Sequence, residues 1–116
     1  MLNKTPPLLT QELSSLSEVF RLLADPSRLR ILIQCKNGPK SVTEISETLE
    51  LSQSLVSHHL RHLRAARLVT RIRRAKQMIY EITDLHVRDA VFDLLSHVRE
   101  QIDPEIDPNS YQSGPQ

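Results

Sequence analysis

Four side chains late in the chain are spaced for chemistry that none of them does alone. They are Asp84, His86, His97 and Glu100, an Asp-x-His followed after ten residues by a His-x-x-Glu. Imidazole nitrogens and carboxylate oxygens are the donors of a tetrahedral Zn(II) site, with Co(II) as the competing ion. On one helix His97 and Glu100 share a face. His86 and His97, eleven positions apart, also share a face, but at the helical rise they stand roughly 16 Å from each other. One helix therefore cannot bring all four to one ion. Two copies of the helix crossing antiparallel near Val91 and Phe92 can, because the pairs 86/97 and 84/100 are both centred there; each ion then takes two ligands from each chain, and a two-fold axis repeats the site. Read one at a time, the four are ordinary polar residues of an amphipathic helix, and Asp84 suits a helix N-cap. Only their joint spacing points to a metal.

A second group carries charge rather than ligands. Between Leu51 and Tyr80 there are seven basic residues (Arg61, Arg64, Arg67, Arg71, Arg73, Arg74, Lys76) and no acid, in a chain whose net charge is only +1. A basic block within an otherwise acidic chain is the footprint of a polyanion surface, although a solvated basic face gives the same count. Within this block, Gln53, Ser54, Ser57, His58 and Arg61 recur at helical spacing. Short polar side chains let a helix enter a major groove. Gln53 suits an adenine edge, and Ser54 and Ser57 suit base edges or phosphate. His58 and Arg61 reach phosphates, with Arg71, Arg73, Arg74 and Lys76 adding charge at the flank. His59 fits a packing position and His62 an exposed one.

The elements that must hold these groups are legible in the pattern. Thr10 to Ala24 has apolar residues at Leu13, Leu16, Val19, Phe20 and Leu23, a helical period. Asp25-Pro26 is an N-cap followed by proline at the first helical position, starting a helix that runs to about Lys36 and stops at Asn37-Gly38-Pro39. Ser41-Val42-Thr43-Glu44 has capping-box spacing and opens a short helix with Val42, Ile45 and Leu49 inward, ending near Leu51. Ser52 caps the next helix, to about Ala66, with Val56, Leu60 and Leu63 on its buried face. Leu68 to Ile82 alternates around a basic tip and predicts a two-stranded hairpin. Thr83-Asp84 starts a last helix to about Ile102, with an apolar stripe of Val87, Val91, Leu94, Leu95 and Val98. The expected organisation is a loose arm over 1–9, one domain over 10–102, and a disordered proline-containing tail over 103–116.

Composition narrows the alternatives. The chain has 116 residues, which gives one modest domain, and with no tryptophan its core must be aliphatic. The single cysteine, Cys35, excludes an intrachain disulfide and any site built from several thiolates of one chain. With no signal peptide and no apolar run long enough for a membrane span, the expected compartment is the cytoplasm, with no membrane partner.

Ala24-Asp25-Pro26-Ser27-Arg28-Leu29-Arg30-Ile31-Leu32, Leu51-Ser52-Gln53-Ser54 with Val56-Ser57-His58-His59-Leu60, and Met78-Ile79-Tyr80 together resemble the ArsR/SmtB family of metal-responsive repressors, over about Leu16 to Glu100. The resemblance implies a mainly α fold with a small β-hairpin, a winged helix-turn-helix in the order α-α-α-α-β-β-α, homodimeric through its first and last helices. It implies operator contacts by Gln53, Ser54, Ser57 and His58. It also matches each of Asp84, His86, His97 and Glu100 to a zinc-sensing last-helix site. The implied function is a repressor that holds double-stranded operator DNA in the apo form and leaves it on binding Zn(II) or Co(II), controlling metal efflux or sequestration genes. His97, once ligated, would use its second ring nitrogen on the backbone near Arg67. The positions of the family's thiolate site read Ser41-Val42-Thr43, without cysteine, and Cys35 reads as a buried small hydrophobe. Nickel-sensing relatives recruit histidines from the chain ends, and neither end here has one. The wing tip, Arg74-Ala75-Lys76, departs from the family in lacking glycine, which leaves the turn geometry open. Two rivals stand beside this reading. One is a metal-independent winged-helix regulator with a vestigial metal site. The other is a zinc hydrolase, disfavoured because four ligands on packed helices close a site that a catalytic metal keeps open, and because no catalytic triad or phosphate-cradling loop is present. No enzyme activity and no small-molecule substrate are expected.

Overall fold

The computed structural model describes residues 6–102, so the expected tail over 103–116 and the first five residues of the expected arm lie outside the described residues. The elements run α1 (Thr10–Leu23), α2 (Pro26–Lys36), β1 (Lys40–Ser41), α3 (Val42–Leu49), α4 (Gln53–Ala65), β2 (Val69–Arg74), β3 (Gln77–Ile82) and α5 (Leu85–Gln101). The caps read from the sequence set the helix starts. Asp25 Oδ1 accepts from the Ser27 and Arg28 N–H groups at 2.9 and 3.2 Å. At the head of α3, Ser41 Oγ accepts from Glu44 N–H at 3.1 Å while Glu44 Oε1 accepts from Ser41 N–H at 2.8 Å, a reciprocal capping box. Ser52 Oγ accepts from Leu55 N–H at 3.1 Å and starts α4. Each bond satisfies an amide that the first turn leaves without a helical partner.

The hairpin expected from the sequence is present and gains a third strand. β2 and β3 pair antiparallel from Val69↔Ile82 to Arg74↔Gln77, and β1 pairs on the other side of β3 through Lys40↔Tyr80 and Ser41↔Ile79. Two residues have no alternation to read, so β1 is defined by its partner rather than by its own pattern. The register leaves Ala75 and Lys76 as the turn, and Ala75 takes φ 55°, a left-handed conformation in which glycine carries no side-chain clash. The missing glycine is thus a local strain, and the wing forms in spite of it.

The core is aliphatic: Ile31, Leu32, Ile45, Val56, Leu60, Leu63 and Val69 are buried, with Cys35 among them. It draws on α2, α3, α4 and the base of the wing. α1 and α5 contribute one buried residue each, Leu22 and Val91. Val87 and Leu95 are half-buried, whereas Leu94 and Val98 of the expected stripe stand in solvent. Among the described residues no helix is long and apolar enough to cross a membrane.

Candidate DNA interface and metal centre

α3, the turn at Glu50–Ser52 and α4 form a helix-turn-helix. Glu50 makes the turn possible by adopting φ 58° at the C-terminus of α3. Burial of Val56, Leu60 and Leu63 fixes the rotation of α4, so the opposite face must point outward. Gln53, Ser54, His58 and Arg61 are exposed there and Ser57 is half-buried. Gln53 is not wholly free, since its Nε2 donates to Thr43 Oγ1 of α3 at 3.4 Å, a long bond that a base edge can displace. The His58 ring stands edge-on to His62, with centroids 4.6 Å apart.

Arg71, Arg73, Arg74 and Lys76 are exposed along the wing. Between the wing and α4 lies an open concavity of about 290 Å³ lined by Ser57, Arg61, Arg64, Arg71 and Tyr80. Two of these, Arg64 and Tyr80, were not singled out in the sequence as contacts. Arg64 was detectable as the residue one turn after Arg61 in the acid-free block. Tyr80 was not, because its place depends on pairing with Arg71 across the hairpin. Among the described residues the one ion pair is Glu18 with Arg21, on α1. The arginines of α4 and the wing thus pair with no carboxylate among the described residues, as suits a phosphate-binding surface.

Under this surface sits His59, 5% exposed. Its Nδ1 accepts from Arg28 Nε of α2 at 3.3 Å, and Arg28 Nη1 donates to the Leu22 carbonyl at the end of α1, at 3.0 Å. Burial depresses the His59 pKa below its ordinary value; the Asp25 carboxylate opposes this, while Arg28, His58 and His62 add to it. Backbone donation from Arg28 in turn holds the Asp25 carboxyl below the usual range.

The four candidate metal ligands lie along α5. Asp84 is its N-cap, with Oδ1 accepting from Val87 N–H at 3.0 Å; a carboxylate has a second oxygen to offer, so the cap does not exhaust it. His86, His97 and Glu100 are exposed and, among the described residues, join no side-chain hydrogen bond or ion pair. Within one chain no three His, Cys, Asp or Glu side chains among the described residues come together as a cage. The donor set, two imidazoles and two carboxylates, suits a divalent ion of Zn(II) type; its members stand near the two ends of one helix. Cys35 is the opposite case: burial pushes its thiol up to about 12, which removes it as a ligand or nucleophile at neutral pH.

A helix-turn-helix with a basic wing beside it defines a DNA-binding regulator of the winged-helix class. The family described as bacterial regulatory protein, arsR family, matches residues 25–71. The chain is 38% identical over 91 residues to the HTH-type transcriptional regulator NmtR of Mycobacterium tuberculosis, covering 78% of this chain and 76% of that protein. It is 35% identical over 88 residues to the HTH-type transcriptional repressor SmtB of the same organism, covering 76% of this chain and 65% of that one. The solution structure of apo-NmtR superimposes with a TM-score of 0.70 at 32% identity, over 95% of this chain and 94% of that structure. The chain belongs to the arsR family of bacterial transcriptional regulators.

Proposed function

We propose that the chain is a metal-responsive transcriptional repressor that acts as a homodimer joined through α1 and α5. In this reading the apo dimer holds double-stranded operator DNA through Gln53, Ser54, Ser57, His58 and Arg61 of α4, and through Arg71, Arg73, Arg74 and Lys76 of the wing. Asp84 and His86 of one chain, with His97 and Glu100 of its partner, take Zn(II), or Co(II) in its place, and the metal lowers DNA affinity. The residues 10–102 form the working domain.

One observation carries the reading. The helix that carries the four candidate ligands, three of them along it and Asp84 at its N-cap, also bears an uncovered apolar face: Leu94 and Val98 of α5 are 57% and 52% exposed, and Leu13, Leu16 and Phe20 of α1 are 51%, 50% and 58% exposed. An apolar surface of this extent is an association surface, and packing a second copy against it is what would bring the two ends of α5 within reach of each other. Phe20, Leu23, Leu29, Ile33, Leu94 and Leu95 help to line an apolar cleft of about 430 Å³ beside it, continuous with the same face. Metal chemistry here is Lewis-acid bridging between subunits; DNA release follows if the bridged dimer spaces its two α4 helices less well for successive major grooves. Reciprocity then requires DNA to weaken metal binding by the same factor.

Titration of Zn(II) into a fluorescent protein–operator complex at fixed salt tests the coupling. The expected result is an operator affinity lowered about 5- to 150-fold by metal in the wild type and unchanged in His97→Ala, given coupling energies of roughly 1–3 kcal/mol. Equal behaviour of the two proteins contradicts it, and favours a metal-independent regulator.

A further inference from the structure

We propose that Arg28 and His59 form a positioning contact through which the C-terminal end of α1 sets the seat of α4 on DNA, a proposal that rests on the DNA-binding reading above. Among the described residues Arg28 is the only side chain whose hydrogen bonds join α1 to α4. Its Nη1 donates to the carbonyl of Leu22, the one buried residue of α1, and its Nε donates to His59 in the middle of α4. Its own backbone N–H is fixed by the Asp25 cap. His59 lies one residue after His58 and two after Ser57, so a shift of its ring moves the surface that faces the DNA. Val56, Leu60 and Leu63 hold α4 by apolar, non-directional packing that fixes which face is buried, and at its N-terminus Gln53 donates to Thr43 of α3 at 3.4 Å, on the side that faces the DNA in this reading. The Arg28–His59 bond adds direction to that packing in the middle of the helix.

The contact also dictates a protonation state. An arginine has donors and no acceptor, so His59 Nδ1 must present a lone pair and the ring must be the neutral Nε2–H form. A second proton would turn Nδ1 into a donor facing a donor. Arg28 from α2 and His58 and His62 from α4 all oppose that proton, and Asp25 at the head of α2 alone favours it. Acidification therefore breaks the contact, and α4 loses its tether to α1.

The test measures selectivity, the affinity for the duplex that wild-type protein selects from a random-sequence pool relative to an unselected random duplex. It is measured at about pH 7.5 and about pH 5.5, either side of the ordinary histidine value. His59→Asn places an oxygen acceptor where Nδ1 stands and cannot be protonated. It should keep wild-type selectivity at the higher pH and lose less of it at the lower. His59→Phe and Arg28→Met should each lose roughly tenfold in selectivity at both pH values, about one hydrogen bond's worth, with helical content unchanged by circular dichroism. Arg28→Met leaves the buried ring in place, which guards against a folding defect in the Phe variant. Without any DNA, ring-nitrogen NMR should show the Nε2–H form of His59 in the wild type and a mixture of tautomers in Arg28→Met. Equal selectivity in all four proteins, or wild type and His59→Asn titrating alike, overturns the proposal alone. A folded wild-type protein that selects no duplex overturns the DNA reading and this proposal with it.

Discussion

α4 and α5 are both amphipathic helices on the same small domain, yet they are completed in different ways. α4 buries Val56, Leu60 and Leu63 completely against α2, α3 and the wing, leaving only Leu55 of its large apolar residues exposed, and its packing is settled within one chain. α5 buries only Val91 and leaves Leu94, Val98 and Phe92 about half exposed, beside candidate ligands that form no metal cage among the described residues of one chain. The difference teaches that the proposed DNA-reading surface is built within one chain, whereas the proposed sensing of metal needs a pair of chains. An element whose apolar and ligating groups are both unsatisfied in the monomer is an interface with its chemistry built in.

Substitutions on the two helices should separate these roles, and the largest effect is expected from the buried one. Leu60→Ala removes a fully buried side chain and should cost about 2–5 kcal/mol of folding stability, read by urea denaturation. Leu94→Glu, on the uncovered face, should leave the chain folded and shift sedimentation from dimer to monomer, because desolvating an unpaired carboxylate opposes association. If Leu94→Glu unfolds the chain as Leu60→Ala does, the contrast between the helices is wrong. Next comes Arg61→Ala, which should weaken binding to all duplexes and reduce the slope of log K against log salt by about one; an unchanged slope removes Arg61 from the phosphate contacts. The smallest effect is expected at the wing tip. Ala75→Gly relieves a left-handed alanine and should raise stability by up to about 1 kcal/mol, with a corresponding rise in Tm. A lower Tm would show that the turn does not need that conformation.

Acid should act on the α4 side of the comparison. The pKa of His59 is lower folded than its ordinary 6.5, so the unfolded chain binds the extra proton first. The stability His59 contributes is fully present above that ordinary value and is lost as pH falls below it towards the folded value. Asp25, also depressed, adds a second loss of the same sign below its ordinary 3.8. In thermal melts at descending pH, His59→Asn should lose the first of these phases and keep the second.

Much of the architecture is legible in the sequence. Four of the five helix starts are legible because each is written in a cap: Asp25-Pro26, Ser41 with Glu44, Ser52 and Asp84; α1 shows only in its apolar period. The hairpin was legible because Val69 to Ile82 alternates. What could not be read depends on contacts between distant segments. β1 exists because Lys40 and Ser41 meet Tyr80 and Ile79. Arg28 finds His59 across thirty-one positions, and Gln53 is held by Thr43 across ten. Tyr80 joins the basic concavity only through the hairpin register. For the proposed metal site the limit is different in kind, since its spacing is visible in the sequence while its assembly requires a second chain.

That assembly is the centre of the account and can be tested by complementation. His86→Ala and His97→Ala proteins, each alone, should give no tetrahedral Co(II) absorption. Mixed and allowed to exchange subunits, they should form heterodimers in which one interface has lost both histidines and the other keeps both, so the signal should return to about a quarter of the wild-type amplitude under random pairing. No recovery in a mixture that demonstrably exchanges subunits would contradict a site shared between chains.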